Sequence, residues 1–184
     1  MRIITLVCFC LTSIISFSSA EESLLIDYTY EGGHGVDFGK TTRGPIKVGE
    51  INDTRDVASP EIIVSGEDGY ISNKPLSEVI RSAIIQGLES GDAKLVEEGQ
   101  NFTLSGDIIS SEAQVISGEN GDSIRLTIRT NLELRDANRT VWSTVIFGRG
   151  TALVSEGFEG ALGRALDRTV NDFIGDTYFQ IEVL

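Results

Sequence analysis

Apolar and polar side chains alternate almost without a break between residues 124 and 135. One face of this segment carries isoleucines and leucines, interrupted only by Thr130. The other face carries Arg125, Arg129 and Arg135 among further polar residues. A side-chain period of two is typical of a strand that has one face buried and one face in water. The chain is therefore predicted to build an antiparallel sheet with a wet face.

The flanking segments extend this strand into a three-stranded meander. Alternation also occurs over residues 102–108, and residues 140–154 are rich in β-branched and aromatic side chains after a polar turn at 136–139. We expect residues 101–154 to form a long, strongly twisted meander. The glycines of Gly148-Arg149-Gly150 predict a bulge or bend in its third strand.

Two amphipathic helices flank this meander. Apolar residues recur at three- and four-residue spacing from Leu76 to Leu88 and again from Phe158 to Phe173. Gly91 is predicted to end the first helix in a left-handed conformation, and Gly175 is predicted to end the second. Ser155 is predicted to cap the start of the second helix.

The order of elements predicts an α+β fold. Short strands are expected at residues 24–28 and 45–51, and a last strand is expected at residues 178–184. The resulting architecture is a mixed, mainly antiparallel sheet with both amphipathic helices packed on one face.

The N-terminus predicts export. Arg2 precedes an apolar run over residues 3–15, and small residues lead up to Ala20. The run is too short to span a bilayer, and this pattern is typical of a cleaved signal peptide. We expect residues 1–20 to be removed after Ala20, and residues 21–184 to form one periplasmic domain.

Residues 30–44 contain five glycines and few apolar residues, which predicts a flexible arm. His34, the only histidine, lies in this arm and is expected to be a solvent-exposed loop residue. Deleting the arm is predicted to weaken partner capture without lowering thermal stability.

Charge and cysteine content exclude several classes of partner. The chain has 28 acidic and 15 basic residues, a net charge of −13, so nucleic acid is not an expected partner. No second apolar run is long enough to cross a bilayer, so the mature chain is predicted to have no transmembrane segment. Cys8 and Cys10 both lie in the predicted leader, which leaves no disulfide, thiolate metal site or lipidated N-terminal cysteine.

No pattern predicts catalysis, a cofactor or a metal site. The sequence has no Gly-x-Ser-x-Gly motif, one histidine, and only neighbouring carboxylates of the kind that acidic turns contain. The protein is therefore predicted not to be an enzyme. Three glycines favour close approach of the second helix to the sheet rather than dinucleotide binding: Gly157, Gly160 and Gly163.

Arg125, Arg129 and Arg135 are the candidate contact residues. Their even spacing on the wet strand face suits an anionic glycan or lipid headgroup. The alternative is a solvated face balanced by Glu133 and other acids. Three Asn-x-Thr sequons matter only in a host that glycosylates exported proteins: Asn52, Asn101 and Asn138.

Several segments together resemble the YajG-type family of bacterial envelope lipoproteins. They are Asp53-Thr54-Arg55, the Leu76–Leu88 helix, residues 102–106, and the Ala161–Ile174 helix after a long hairpin. The resemblance covers about residues 44–176. It implies an envelope location and no established enzymatic activity, and it brings no catalytic residues. The lipobox cysteine of the family is absent here, and the glycine-rich arm has no counterpart.

These observations predict a soluble periplasmic binding or scaffold protein of cell-envelope assembly or export. Its contact surfaces would be a sheet edge and the arm at residues 30–44, and its partner an envelope protein. The alternative is a carrier of a small amphipathic lipid or glycan held between sheet and helices. A carrier needs a cavity, whereas a scaffold needs a filled core. The oligomeric state stays open.

Overall fold

The computed structural model describes residues 23–39, 43–65, 69–119 and 121–184. The predicted signal peptide and its cleavage after Ala20 lie outside these residues. The α+β prediction is confirmed: a four-stranded mixed sheet in the order β1-β4-β5-β6 carries the helices on one face, and β2 and β3 form a small second sheet. The elements are β1 Ile46–Asp53, β2 Ile62–Val64, β3 Tyr70–Ile71, α1 Leu76–Ser90, β4 Phe102–Ile116, β5 Ser123–Arg135, β6 Thr140–Leu153, α2 Gly157–Ile174 and α3 Thr177–Val183.

The predicted meander is the centre of the sheet. β4, β5 and β6 pair antiparallel over their whole lengths, and β1 joins parallel to β4. The alternation of β5 sorts its side chains as predicted, with Leu126, Ile128 and Leu132 buried beneath the helices. The face that carries the arginines, here called the outer face, bears no helix.

Helix α2 lies directly on β6 because two strand residues lack a side chain. A Cβ atom at Gly150 would overlap the carbonyl oxygen of Ala161 and lie 2.5 Å from the nitrogen of Ala165. A Cβ atom at Gly148 would lie 2.7 Å from the carbonyl oxygen of Ala165. The predicted bulge at these glycines is wrong, since the register of β6 against β5 runs unbroken past them. Close helix packing, rather than a bend, requires them.

The predicted close approach of helix glycines to the sheet is confirmed at one of three positions. A Cβ atom at Gly163 would meet nothing within 4 Å, so this residue faces open space. Gly157 has a φ of 79° and starts α2 in a conformation that suits glycine. Only Gly160 approaches the sheet, where an added Cβ atom would lie 3.2 Å from Cβ of Ala152.

Three predictions about where and how the helices begin and end are wrong. Gly91 has a φ of −100°, and the left-handed residue is Asp92 instead. Ser155 lies in a 3-10 turn at Val154–Glu156, and α2 begins only after it. The predicted last strand is helix α3, because the carboxylate of Asp176 accepts the backbone N–H groups of Tyr178 and Phe179 and so caps a new helix.

Residues 23–39 form an extended segment, here called the N-terminal strap, across α1 and α2. Leu24 bridges to Ser72, but no strand of the predicted length forms at residues 24–28. The phenol of Tyr28 donates to Asp167 at 2.8 Å, and the phenol of Tyr30 donates to Asn171 at 2.7 Å. Burial and the nearby Asp167 carboxylate raise the pKa of both phenols. Both tyrosines therefore stay neutral hydrogen-bond donors at physiological pH.

The prediction of a flexible arm is wrong for residues 30–39. Phe38 is fully buried, and its N–H donates to the carbonyl of Gly91. His34 is not a free loop residue, since Nε2 lies 3.0 Å from the carbonyl oxygen of Gly87 and Nδ1 accepts the N–H of Val36. Deleting this segment would therefore remove part of the core, contrary to the prediction of unchanged stability.

Asp53-Thr54-Arg55 fastens β2 to the main sheet. The guanidinium of Arg55 pairs with Asp53 at 2.5 Å and donates to the carbonyl of Ile63 at 2.9 Å and to Ser111 at 2.6 Å. Burial raises the pKa of Asp53, but the bonds from Arg55 outweigh it, so this pKa is lowered. The pair therefore stabilises the fold above the ordinary carboxyl pKa, and its contribution is lost as pH falls through the lowered value.

Exchanging glycine for alanine should have opposite effects at two positions. We expect Gly150→Ala to lower the free energy of unfolding by at least about 2 kcal/mol, because the new methyl group collides with the α2 backbone. Gly163→Ala should raise it by about 0.5–1 kcal/mol, because a mid-helix glycine is replaced in open space. Urea denaturation measures both, and equal effects at the two positions would contradict the packing described.

Truncating Phe38 tests whether the strap belongs to the core. We expect Phe38→Ala to lower the free energy of unfolding by about 3–5 kcal/mol, as for other buried aromatic side chains. Leu25→Ala is the matched control in the same strap, since Leu25 is 74% exposed. Thermal unfolding of the two variants at equal midpoints would show that the strap is not packed.

Candidate functional site: an open sheet edge beside an arginine patch

The first edge of the main sheet, at β1, is closed over the first half of the strand. The N–H of Ile46 donates to the carbonyl of Lys94, and the carbonyl of Ile46 accepts the N–H of Val96. The guanidinium of Arg81 donates to the carbonyls of Val48 and Gly49, each at 2.8 Å. This edge is therefore closed over residues 46–49, the first half of β1.

The second edge, at β6, is closed only at its C-terminal end. The carbonyl of Thr151 accepts from Arg164 at 2.7 Å, and the N–H of Leu153 donates to the Glu156 carboxylate at 2.8 Å. Arg164 and Glu156 also pair with each other at 2.6 Å. The bonds from Arg164 and from the Leu153 N–H lower the pKa of Glu156, so the carboxylate stays charged below its ordinary range.

The rest of the β6 edge is open. Main-chain groups in a strand alternate between its two sides, and those of Thr151 and Leu153 point away from β5. The unbroken register makes the odd-numbered residues from Ser143 to Arg149 point the same way. Within the part of the chain that the structure describes, no hydrogen bond engages their main-chain N–H or C=O groups. Residues 143–149 are here called the open edge segment.

Two apolar side chains stand on the outer face of this segment. Val145 is 41% exposed and Phe147 is 48% exposed. The guanidinium of Arg129, on the neighbouring strand, lies 5.4 Å from the centre of the Phe147 ring, a cation–π distance. A partner strand laid against the open edge segment would cover both apolar side chains.

The three arginines predicted as contact residues do not lie together in the structure. Arg149 lies opposite Thr127, so Arg125 and Arg129, two residues on either side of Thr127, are its diagonal neighbours on the outer face. Arg135 lies six residues from Arg129, about 20 Å along the strand, and donates to Thr140 instead.

Arg125, Arg129 and Arg149 are here called the arginine patch. No ion pair engages any of these three guanidinium groups among the residues that the structure describes. The sequence analysis missed Arg149 together with Val145 and Phe147. The signal was present, since odd-numbered spacing in residues 140–154 puts all three on one strand face, two of them apolar on a face expected to be wet.

The described residues hold no group of three or more potential metal ligands. In those same ranges, no helix is long and apolar enough to cross a membrane.

The space between sheet and helices is filled by side chains such as Leu126 and Leu166, both fully buried. A groove of about 340 Å³ lies instead at the surface, between residues 25–31 of the strap and the Glu159–Asp167 side of α2.

Comparisons with known proteins define a fold. No family model and no curated protein matches the sequence. The solved structure of protein XCC0632 from Xanthomonas campestris, of family DUF330, is similar at a TM-score of 0.65 with 15% identity, covering 88% of this chain and 97% of that chain. This similarity shows a shared fold.

Two other solved structures superpose more loosely. They are a PelC dodecamer from Paraburkholderia phytofirmans (TM-score 0.45, 16% identity, 76% of this chain and 89% of that chain) and a minor lipoprotein from Acinetobacter baumannii (TM-score 0.39, 10% identity, 75% and 91%). Superpositions this loose do not define a shared fold. The resemblance to the YajG-type family stays a prediction.

Hydrogen exchange followed by NMR tests the open edge directly. We expect the amides of Val145 and Phe147 to exchange fast, because they face away from β5, whereas those of Ile146 and Gly148 are protected. The Leu153 amide should be protected in the native chain and lose that protection in Glu156→Ala. Slow exchange at Val145 and Phe147 would show that the segment is already covered.

Proposed function

We propose that this protein is a non-enzymatic binding or scaffold protein of the bacterial cell envelope, acting in assembly or export. It captures a protein partner by accepting an extended strand along the open edge segment. The observation that carries the proposal is a contrast along the sheet edges. Residues 46–49 of β1 and the end of β6 have hydrogen-bond partners there, whereas the outward main-chain groups of residues 143–149 have none among the described residues.

Unpaired strand edges bind other chains. A strand edge offers a row of main-chain donors and acceptors, and folded proteins usually cover such an edge or make it very short. Strand addition uses these groups for affinity and the flanking side chains for specificity. Val145 and Phe147 supply such flanking side chains here, because they stand exposed on the outer face. The strap is less suited to be the contact surface, since Tyr30 and Phe38 are buried and Tyr28 is partly buried.

The envelope location rests on the predicted leader. A chain released after Ala20 on the far side of the inner membrane would be periplasmic, with the strap close to its new N-terminus. The absence of enzymatic activity is likewise part of the proposal. It is supported by the lack of a nucleophile–base pattern in the sequence.

A carrier of a small amphipathic ligand is the second candidate. Buried side chains occupy the space between sheet and helices, so we place such a ligand in the surface groove beside the strap. That groove has buried Leu162 and Leu166 at its floor and a volume within the range of small-molecule sites. Native mass spectrometry of the mature protein would detect such a ligand as added mass lost on denaturation.

Site-specific photo-crosslinking in the native host tests strand capture. We expect a photoreactive residue at position 147 to give a discrete protein adduct, because Phe147 flanks the open edge segment. Position 115 is the matched control, since Val115 is an apolar residue, 62% exposed, on β4 and away from that edge. The adduct should disappear when Val145 is also changed to Pro, which removes an outward N–H without removing a bond to β5.

The reverse pattern would contradict the proposal. Equal adducts at positions 147 and 115 would show collision rather than binding. An adduct at position 147 that survives Val145→Pro would show a contact that does not use the main-chain edge. The variant's circular dichroism spectrum and thermal midpoint establish that it is folded.

A further inference from the structure

We infer that the strand captured by this protein is acidic: an extended peptide segment that places a carboxylate beside the arginine patch and apolar side chains beside Val145 and Phe147. This inference rests on the proposed function and names the chemistry of its partner. It joins two independent features of the structure, the open edge segment and the unpaired cluster of arginines next to it.

Arg149 has no carboxylate at a neighbouring position of the outer face on β5 or β6. Glu112, opposite Thr127 on β4, is the diagonal neighbour of Arg125 and Arg129 but lies two strands away from Arg149. The whole chain has a net charge of −13, yet three cations meet around Thr127. Other arginines of this protein are neutralised at short range, as Arg55, Arg164 and Arg168 are by carboxylates 2.5–2.6 Å away. Like charges on neighbouring strands repel each other. A carboxylate brought to this patch would relieve that repulsion.

The strand geometry gives the pattern of the partner. A strand added to β6 continues the sheet, so every second side chain of it stands on the outer face, about 5 Å from its neighbour on β6. The residue opposite Arg149 is the one that the patch would select as Asp or Glu. The residues opposite Phe147 and Val145, two and four positions further on, would be apolar.

A peptide fits this surface better than an anionic glycan or a lipid headgroup. Either of those would satisfy the guanidinium groups. Both would leave the main-chain groups of residues 143–149 without partners and Phe147 and Val145 uncovered. An acidic strand engages all three kinds of group at once.

Three labelled heptapeptides test the inference on the mature full-length protein. They share the sequence X-Thr-Val-Thr-Val-Thr-Ser and differ only in X, which is Glu, Gln or Lys. Fluorescence anisotropy gives Kd for each. We expect the Glu peptide to bind about threefold more tightly than the Gln peptide and about tenfold more tightly than the Lys peptide, with the difference shrinking at high salt.

Two variants separate the patch from general charge. Arg149→Gln should remove most of the preference for Glu. Arg135→Gln is the matched control, because it removes the same charge from the same face about 20 Å from the patch and should leave the preference unchanged. A Glu peptide that is N-methylated at both valines tests the main-chain bonds, and we expect it not to bind.

Each other outcome has a defined meaning. Equal binding of the three peptides would overturn the acidic partner and leave strand capture standing. No binding of any peptide to a chain that forms dimers by light scattering would overturn both, in favour of a second copy at this edge. Binding of dextran sulfate without any peptide would overturn both, in favour of an anionic glycan. Equal binding of the N-methylated peptide would show that charge alone acts.

Discussion

The close seat of α2 on β6 is the contact on which the rest of the structure depends. Glycine at positions 148 and 150 brings the helix backbone down to the strand backbone, so that α2 covers the last strand of the sheet. In that position α2 supplies Asp167 and Asn171 to the strap and Arg164 to the end of the strand. The position of this one helix thus covers the core, holds the strap in place and provides hydrogen-bond partners for the end of the β6 edge.

The same placement explains why part of the edge stays bare. Helix α2 shields the inner face of β6, but its reach toward the edge is limited to the Arg164 guanidinium and the adjoining Glu156 carboxylate. Before Thr151 in the chain, no side chain of α2 reaches the edge in the described residues. The buried inner face keeps the strand rigid, so the exposed main-chain groups are held in line and require no ordering when a partner arrives.

The sequence predicted those parts of the fold that local periodicity encodes. The strand alternation of β5 and the apolar stripes of α1 and α2 each reflect burial against one layer, and each was found where predicted. The strap was missed because its burial depends on residues far along the chain. Phe38 was not predicted to be buried because it lies among glycines, which favour a loop. Helix α3 was predicted as a strand because the segment is short and rich in aromatic and β-branched residues, but the Asp176 cap stabilises a helix there.

The candidate site was predicted only in part for a related reason. Even spacing on one strand groups Arg125, Arg129 and Arg135, but proximity in a sheet is decided by register across strands as much as by position along one. The pairing of β5 with β6 substitutes Arg149 for Arg135. No pattern within β5 alone contains that information.

The strap also determines when this protein can finish folding. The Tyr28 bond to Asp167 and the Tyr30 bond to Asn171 join residues 139 and 141 positions apart. Contacts that span so much of the chain form late, because their loop must be closed before they contribute. The contacts of the strap with α1, such as that of His34 with Gly87, span only about a third of this separation and need no α2. The strap is therefore fastened in two stages, first along α1 and last along α2, so that its hydrogen bonds are complete only when both helices are in place.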